Sequence, residues 1–172
     1  MVFTYKLRIF KATTKPLEVY SGQKMFCEFH GFYHNKWSRL LDYILRKTSY
    51  INYKLKDLDG NDQMIIEDKT GLGKRKLEVT CYENGVKQNS FWMEDASPTK
   101  LGEDVEFNYN GDTYYIKREP FNPAYLILNG SSIAEYKLNY KRQITITILD
   151  PKYYAKSFFV IGVFHAYFYG ID

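Results

Sequence analysis

A chain of 172 residues, 45% hydrophobic and 18% aromatic, is long enough to bury one sizeable core, and reads as a single domain over residues 1–172. Its formal charge of +4 admits an anionic partner without demanding one and is low for a nucleic-acid binder. Residues 1–86 carry 15 Lys or Arg against 10 Asp or Glu, and residues 87–172 carry 9 against 10, so an acidic partner should meet the first half.

The N-terminus, Met1-Val2-Phe3-Thr4-Tyr5-Lys6, has no basic start followed by an apolar core and a cleavage site, which predicts a cytoplasmic chain. Residues 2–11 alternate, with Phe3, Tyr5, Leu7 and Ile9 on one face, and predict a strand that Lys15-Pro16 ends. Leu17–Tyr20 and Lys24–Tyr33 follow as strands around Ser21-Gly22. Cys27 and Cys81 both fall in such strands. Two cysteines make no disulfide framework and read as buried thiols of a reducing compartment; a single bridge in a secreted protein is the other reading.

The period then changes. In Trp37–Lys47, helical spacing puts Trp37, Leu40, Leu41 and Ile44 on one stripe, with Arg39, Asp42 and Arg46 opposite, which predicts an amphipathic helix of about three turns. So short a helix is marginal alone, so its apolar face must dock on something. From Tyr50 onward the pattern is a meander. Asp59-Gly60-Asn61, Glu83-Asn84-Gly85, Asn110-Gly111 and Asn129-Gly130 each separate two alternating runs, and such pairs supply the positive φ angles of tight hairpins. Gln143–Leu149 is the last strand, and Asp150-Pro151 has the cap and first-turn chemistry that opens a helix.

That final helix carries no acidic or basic residue from Ser157 to Ile171 except His165, and is apolar all round. It must therefore be enclosed in protein or in lipid. A run of roughly 15 residues is short of the roughly 20 that span a bilayer, so burial in protein is the expectation. A lipid-inserted tail and a strand pair kinked at Gly162 are the alternatives. Eleven or twelve antiparallel strands, several apolar on both faces, are explained most economically by a mainly β fold: a closed antiparallel barrel of about 12 strands around the hydrophobic C-terminal helix, plus the short amphipathic helix. Closure removes free edges, and so wide a barrel needs filling. A two-sheet sandwich is the runner-up, but it offers the terminal helix no natural burial site.

In element order nearly the whole chain resembles the tubby C-terminal-like superfamily, which groups tubby proteins, LURP-one-related proteins and phospholipid scramblases. The small bacterial LURP-one-related members are the most similar. The meander of hairpins, Asp150-Pro151 and the helix Ser157-Phe158-Phe159-Val160-Ile161-Gly162-Val163-Phe164 carry the resemblance. It implies a twelve-stranded barrel threaded by a central helix, with phosphoinositide binding as in tubby proteins or action at membranes as in scramblases. No stretch matches the phosphoinositide-contacting residues of tubby proteins, a scramblase-type calcium segment or a palmitoylated cysteine cluster, so no site residue is carried over.

The densest basic stretch is Lys69-Thr70-Gly71-Leu72-Gly73-Lys74-Arg75-Lys76, whose glycines free backbone N–H groups beside four cations. That suits a phosphate or lipid head group, although a solvated strand connection has the same composition. The amphipathic helix is the second candidate. Trp37, Leu40, Leu41 and Ile44 can dip into a membrane interface or meet a protein partner, with Lys36, Arg39, Arg46 and Lys47 at anionic head groups. Small domains seldom leave such a face bare, which favours a stripe that instead covers an end of the barrel.

The other constellations point to structure. Asp57, Asp59, Asn61 and Asp68 have part of a calcium-loop spacing, but the glycine is misplaced and the closing Glu is absent, so a hairpin turn is expected. Cys27, His30 and His34 have no fourth partner for zinc. His165 is expected to be a buried neutral imidazole bonded to a barrel tyrosine. No nucleophile elbow, acid–base pair or dinucleotide fingerprint is present, which argues against an enzyme, a metal or a cofactor. The sequence thus predicts a non-enzymatic binding module. It would recognise anionic phospholipid or a membrane surface through Lys69, Lys74, Arg75 and Lys76, helped by Arg39, Arg46 and Lys47. A protein-interaction domain without lipid affinity is the alternative.

Overall fold

The computed structural model describes residues 1–7, 14–45, 51–69, 76–95, 104–118 and 122–170. Twelve strands appear in chain order. They are β1 Val2–Lys6, β2 Leu17–Ser21, β3 Lys24–Phe32, β4 Asn52–Lys56, β5 Asp62–Asp68, β6 Lys76–Glu83, β7 Val86–Asp95, β8 Val105–Tyr109, β9 Asp112–Arg118, β10 Ala124–Leu128, β11 Ser131–Leu138 and β12 Gln143–Ile148. Helix α1, Lys36–Leu45, lies between β3 and β4, and helix α2, Ser157–Gly170, follows β12. Each strand pairs antiparallel with the next, and β1 pairs with β12 from Val2↔Thr147 to Lys6↔Gln143, so the sheet closes.

Antiparallel closure gives the barrel two unlike ends. At one end the strands reverse through tight turns. Asn84-Gly85, Asn110-Gly111 and Asn129-Gly130 take positive φ at both residues, which matches the right-handed twist of the flanking strands. The turn at Asp59-Gly60-Asn61 is organised by a side chain: the Asp57 carboxylate accepts from the backbone N–H of Asp59 at 3.0 Å and of Asn61 at 2.8 Å. At the other end lie the longer connections, including α1, and the C-terminus of α2. This second end is the loop end.

The centre of the barrel is filled by α2. Phe159, Val160, Ile161, Val163, Phe164, His165, Ala166 and Tyr167 are all buried. A large apolar side chain fully removed from water contributes roughly 2 kcal/mol, so this one helix rivals the net stability of a whole domain. The expectation that Asp150-Pro151 opens this helix directly needs one correction. Asp150 caps a 3₁₀ segment, Pro151–Lys156, by accepting from Lys152 N–H, and α2 begins only at Ser157. The segment sets Tyr153 under the barrel, its hydroxyl 3.4 Å from that of Tyr114, and so closes the tight-turn end.

Strict alternation fails at bulges. Between Val19/Tyr20 and Met25/Cys27 the register slips, which leaves Phe26 the extra residue of β3; it packs on Phe3 and on Phe158 of α2. A second slip at Leu126/Ile127 turns Ile133 and Ala134 inward together. The inward faces otherwise carry Phe29, Leu55, Met64, Val79, Ile116, Leu126, Ile144 and Ile146, all at most 1% exposed.

Candidate functional site

Both basic stretches singled out in the sequence join strands at the loop end, because β3 and β5 run toward it and β4 and β6 run away. Helix α1 starts from Asn35, whose side-chain oxygen accepts from Ser38 N–H at 2.7 Å and from the Ser38 hydroxyl at 3.0 Å. Its apolar stripe is not docked on the barrel, contrary to the expectation that it covers an end. Trp37 is 75% exposed and Ile44 63%, with Leu40 and Leu41 also exposed. The polar side lies inward instead: Asp42 is 1% exposed, and its charge acts on the Tyr33 hydroxyl. Burial first, then the Asp42 charge, pushes that hydroxyl well above the usual tyrosine range, and Arg39 partly offsets them. The helix presents to solvent a face of apolar groups with the exposed cation Lys36 at its edge, while Arg39 is exposed on the opposite side.

The β5–β6 corner is different. Lys69 N–H donates to the Lys76 carbonyl at 2.9 Å, so the two lysines at the mouth of that connection are brought together. Their charges are already answered. Lys69 Nζ lies 3.4 Å from Glu67 and 3.8 Å from Glu78, and Lys76 Nζ pairs with Glu94 while sitting 4.5 Å from the centre of the Trp92 ring. Each such surface pair is worth little to stability, but together they cancel the local field. Lys74, Arg75, Arg46 and Lys47 lie outside the described residues.

Sequence reasoning missed the β11–β12 connection, Asn139–Arg142, also at the loop end. Asn139 frames it: its side-chain oxygen accepts from Lys141 N–H at 2.9 Å and Gln143 N–H at 3.0 Å, and its carbonyl accepts from Arg142 N–H at 3.0 Å. Tyr140 stands 90% exposed at the tip, with Lys141 Nζ 5.6 Å from its ring centre. Arg142 has φ +59°. The signal available was an aromatic followed by two cations in a turn without glycine.

The remaining candidates are structural. Asp57 spends its carboxylate on its own turn and on Gln63 at 2.8 Å. Burial opposes, but these hydrogen bonds hold its pKa below the ordinary range. Cys27 points into the core, whereas His30 pairs with Glu28 at 2.6 Å and His34 with Glu67 at 2.7 Å on the outside. Among the described residues no three His, Cys, Asp or Glu side chains converge as a metal site. Both cysteines are free and buried, and burial lifts the Cys81 thiol to about 11. His165 is fully buried, stacked on Phe29 at 3.6 Å between ring centres, with Nδ1 3.4 Å from the Tyr5 hydroxyl. A cleft of about 520 Å³ lies between β1 and β2, which among the described residues pair at Thr4 and Tyr20. Its walls bring Lys6 and Lys141 beside Glu18.

No described helix is long and apolar enough to cross a membrane. Comparison with protein families matches residues 3–170 to the model described as Tubby C-terminal like domain. No curated protein matches the chain, and no solved structure does.

Proposed function

From the premise that the chain belongs to the tubby C-terminal-like domain family, one of lipid-, membrane- or protein-binding modules rather than enzymes, we propose that it attaches to anionic phospholipid surfaces through its loop end. The finer kinship, to small LURP-one-related proteins and more distantly to scramblases, is part of the same proposal and rests on the order of the hairpins and the terminal helix. The observation that carries the functional reading is the inverted helix α1. Its only acid, Asp42, is buried, so its exposed face offers Trp37, Leu40, Leu41 and Ile44 with Lys36 at the edge. A bilayer interface matches that pattern, with an oily layer under a negative one. Lys36 and Arg39 meet head groups directly, and Arg46, Lys47, Lys74 and Arg75 add to the attraction. Lys69 and Lys76, already paired with acids, contribute little. The protein then works as a peripheral module on the cytoplasmic face of a membrane.

The chain has two tryptophans, so Trp92→Phe leaves Trp37 as the sole indole. Mixed phosphatidylcholine–phosphatidylserine vesicles should shift its emission to the blue at low salt, and pure phosphatidylcholine vesicles should not. No shift on either would overturn the reading. The second reading, a protein partner, is favoured by the same exposure of Trp37 and Ile44; it predicts a partner captured by the full chain and lost on Leu40→Asp, with no response to vesicles.

A further inference from the structure

The connections at the loop end do not share charge evenly. By sequence, the connections 7–16, 33–51 and 139–142 hold nine Lys or Arg against one acid, Asp42. The connections 69–75, 96–104 and 119–123 hold four against three. The first three are consecutive around the ring, because β11, β12, β1, β2, β3 and β4 are successive neighbours in the closed sheet. Among the described residues of that sector, Lys15, Lys36, Arg39, Lys141 and Arg142 are exposed, and the single acid is buried. Glu18 and Glu28 face each other across β2 and β3 within the strands, where they bond Tyr20 and His30.

We infer that Tyr140, Lys141 and Arg142 form a second anchor on the same bilayer, so that the barrel meets lipid with the sector from β11 to β4, while Lys69 and Lys76 at the β5–β6 corner, already paired with acids, contribute little. This rests on the membrane reading above. Tyrosine suits the head-group level, where its ring is half in oil and its hydroxyl in water. Two adjacent cations beside it attract acidic head groups. The tip is built in advance of binding: Asn139 holds both sides of the turn, and the Arg142 carbonyl accepts from Leu7 N–H at 2.8 Å, which ties the tip to the end of β1. Little ordering cost then remains to be met on contact. The left-handed backbone of Arg142 points the same way. Three turns at the opposite end fill such positions with Asn-Gly, while here a bulky cation stands where glycine would be relaxed. An acidic protein or a nucleic acid would engage the cations, but neither offers an apolar layer for Tyr140 and Trp37 together.

The test is co-sedimentation of the full chain with phosphatidylcholine–phosphatidylserine vesicles at low salt, with melting temperatures recorded for every variant. The double substitution Lys141→Ser/Arg142→Gly should weaken binding by roughly 30-fold, from about 1 kcal/mol for each basic residue at the surface. Tyr140→Ser should weaken it further without lowering the melting temperature. Lys69→Ser/Lys76→Ser, at the neutralised corner, should leave affinity within a factor of about two. Wild-type binding undiminished in the tip variants, or a larger loss from the Lys69/Lys76 pair, would overturn the inference while leaving membrane attachment standing. Failure of the wild type itself to bind would overturn both.

Discussion

A methyl group placed on Gly162 of α2 would stand 2.2 Å from the Sδ of Met64 in β5, so the central helix and the barrel wall meet here at the limit of approach. Met64 is 1% exposed and packed in the core, so its flexible end can yield only by shifting among core neighbours. Gly162→Ala gains about 1 kcal/mol of helix propensity, yet overpacking costs about 1–3 kcal/mol. We expect a net loss of up to about 2 kcal/mol by urea denaturation. Met64→Ala should cost about 2–5 kcal/mol alone, and the double variant clearly less than the sum of the two singles. Simple additivity would mean that the close approach is not a strain-bearing contact.

His165 makes stability depend on pH. Burial holds its pKa well below the ordinary value, so in the folded state the imidazole stays neutral. In the unfolded chain it protonates near pH 6.5, as any exposed histidine does. Below that pH the unfolded state binds more protons, and stability falls by up to about 1.4 kcal/mol per pH unit until the folded pKa is reached. Among the described residues Tyr5, Phe29 and Tyr53 lie against the ring, and none of these three carries a negative charge. His165→Leu should be flatter than wild type between about pH 6.5 and pH 5. Parallel curves for the two proteins in that window would place the acid sensitivity elsewhere.

The inverted pose of α1 sets the buried Asp42 beside the Tyr33 hydroxyl. Removing the hydroxyl with Tyr33→Phe takes a polar neighbour from a buried carboxylate, which should cost about 1 kcal/mol at neutral pH. In an Asp42→Asn background the same change should cost less, because a neutral amide gains less from a nearby hydroxyl. An equal cost in both backgrounds, measured by chemical denaturation, would show that the hydroxyl acts by some route other than Asp42.

Arg142 separates stability from binding. A non-glycine residue in the left-handed region costs about 1–2 kcal/mol, and glycine forfeits about 0.5–1 kcal/mol in unfolded-chain entropy. Arg142→Gly should therefore melt no lower than wild type, and be more stable by up to about 1 kcal/mol, while it binds acidic vesicles more weakly. A lower melting temperature would mean that the arginine is held there for the fold.

Much of the barrel was legible because its signals are local. The Asn-Gly turns announce hairpins by the φ angles they permit, and the uncharged run after Ser157 leaves burial as its simplest fate. What escaped depends on partners far off in the sequence. Helical spacing defined the stripe Trp37–Ile44 but not which side faces the barrel, which shows only in the burial of Asp42 next to Tyr33, just past the end of β3. Lys69 and Lys76 looked like an anion patch because Glu78 and Glu94 reach them only through the register of β5, β6 and β7. The packing of Phe26 on Phe3 and Phe158 is hidden from simple alternation because one bulge opposite Val19/Tyr20 shifts it by a residue. The tip at Tyr140–Arg142 drew no notice because it lacks glycine, and its strained backbone is visible only in three dimensions.

The claim on which the rest depends is that the loop end binds a negatively charged bilayer. Its most direct measurement is co-sedimentation of the unmodified full chain with acidic and with neutral vesicles across a salt series. The screening length falls from about 30 Å at 0.01 M salt to about 8 Å at 0.15 M, so attraction between exposed charges must show first at low salt. The account predicts that the protein pellets with phosphatidylcholine–phosphatidylserine vesicles at low salt, is released as salt rises, and stays in solution with pure phosphatidylcholine. Equal pelleting with both, or none with either at the lowest salt, would contradict it.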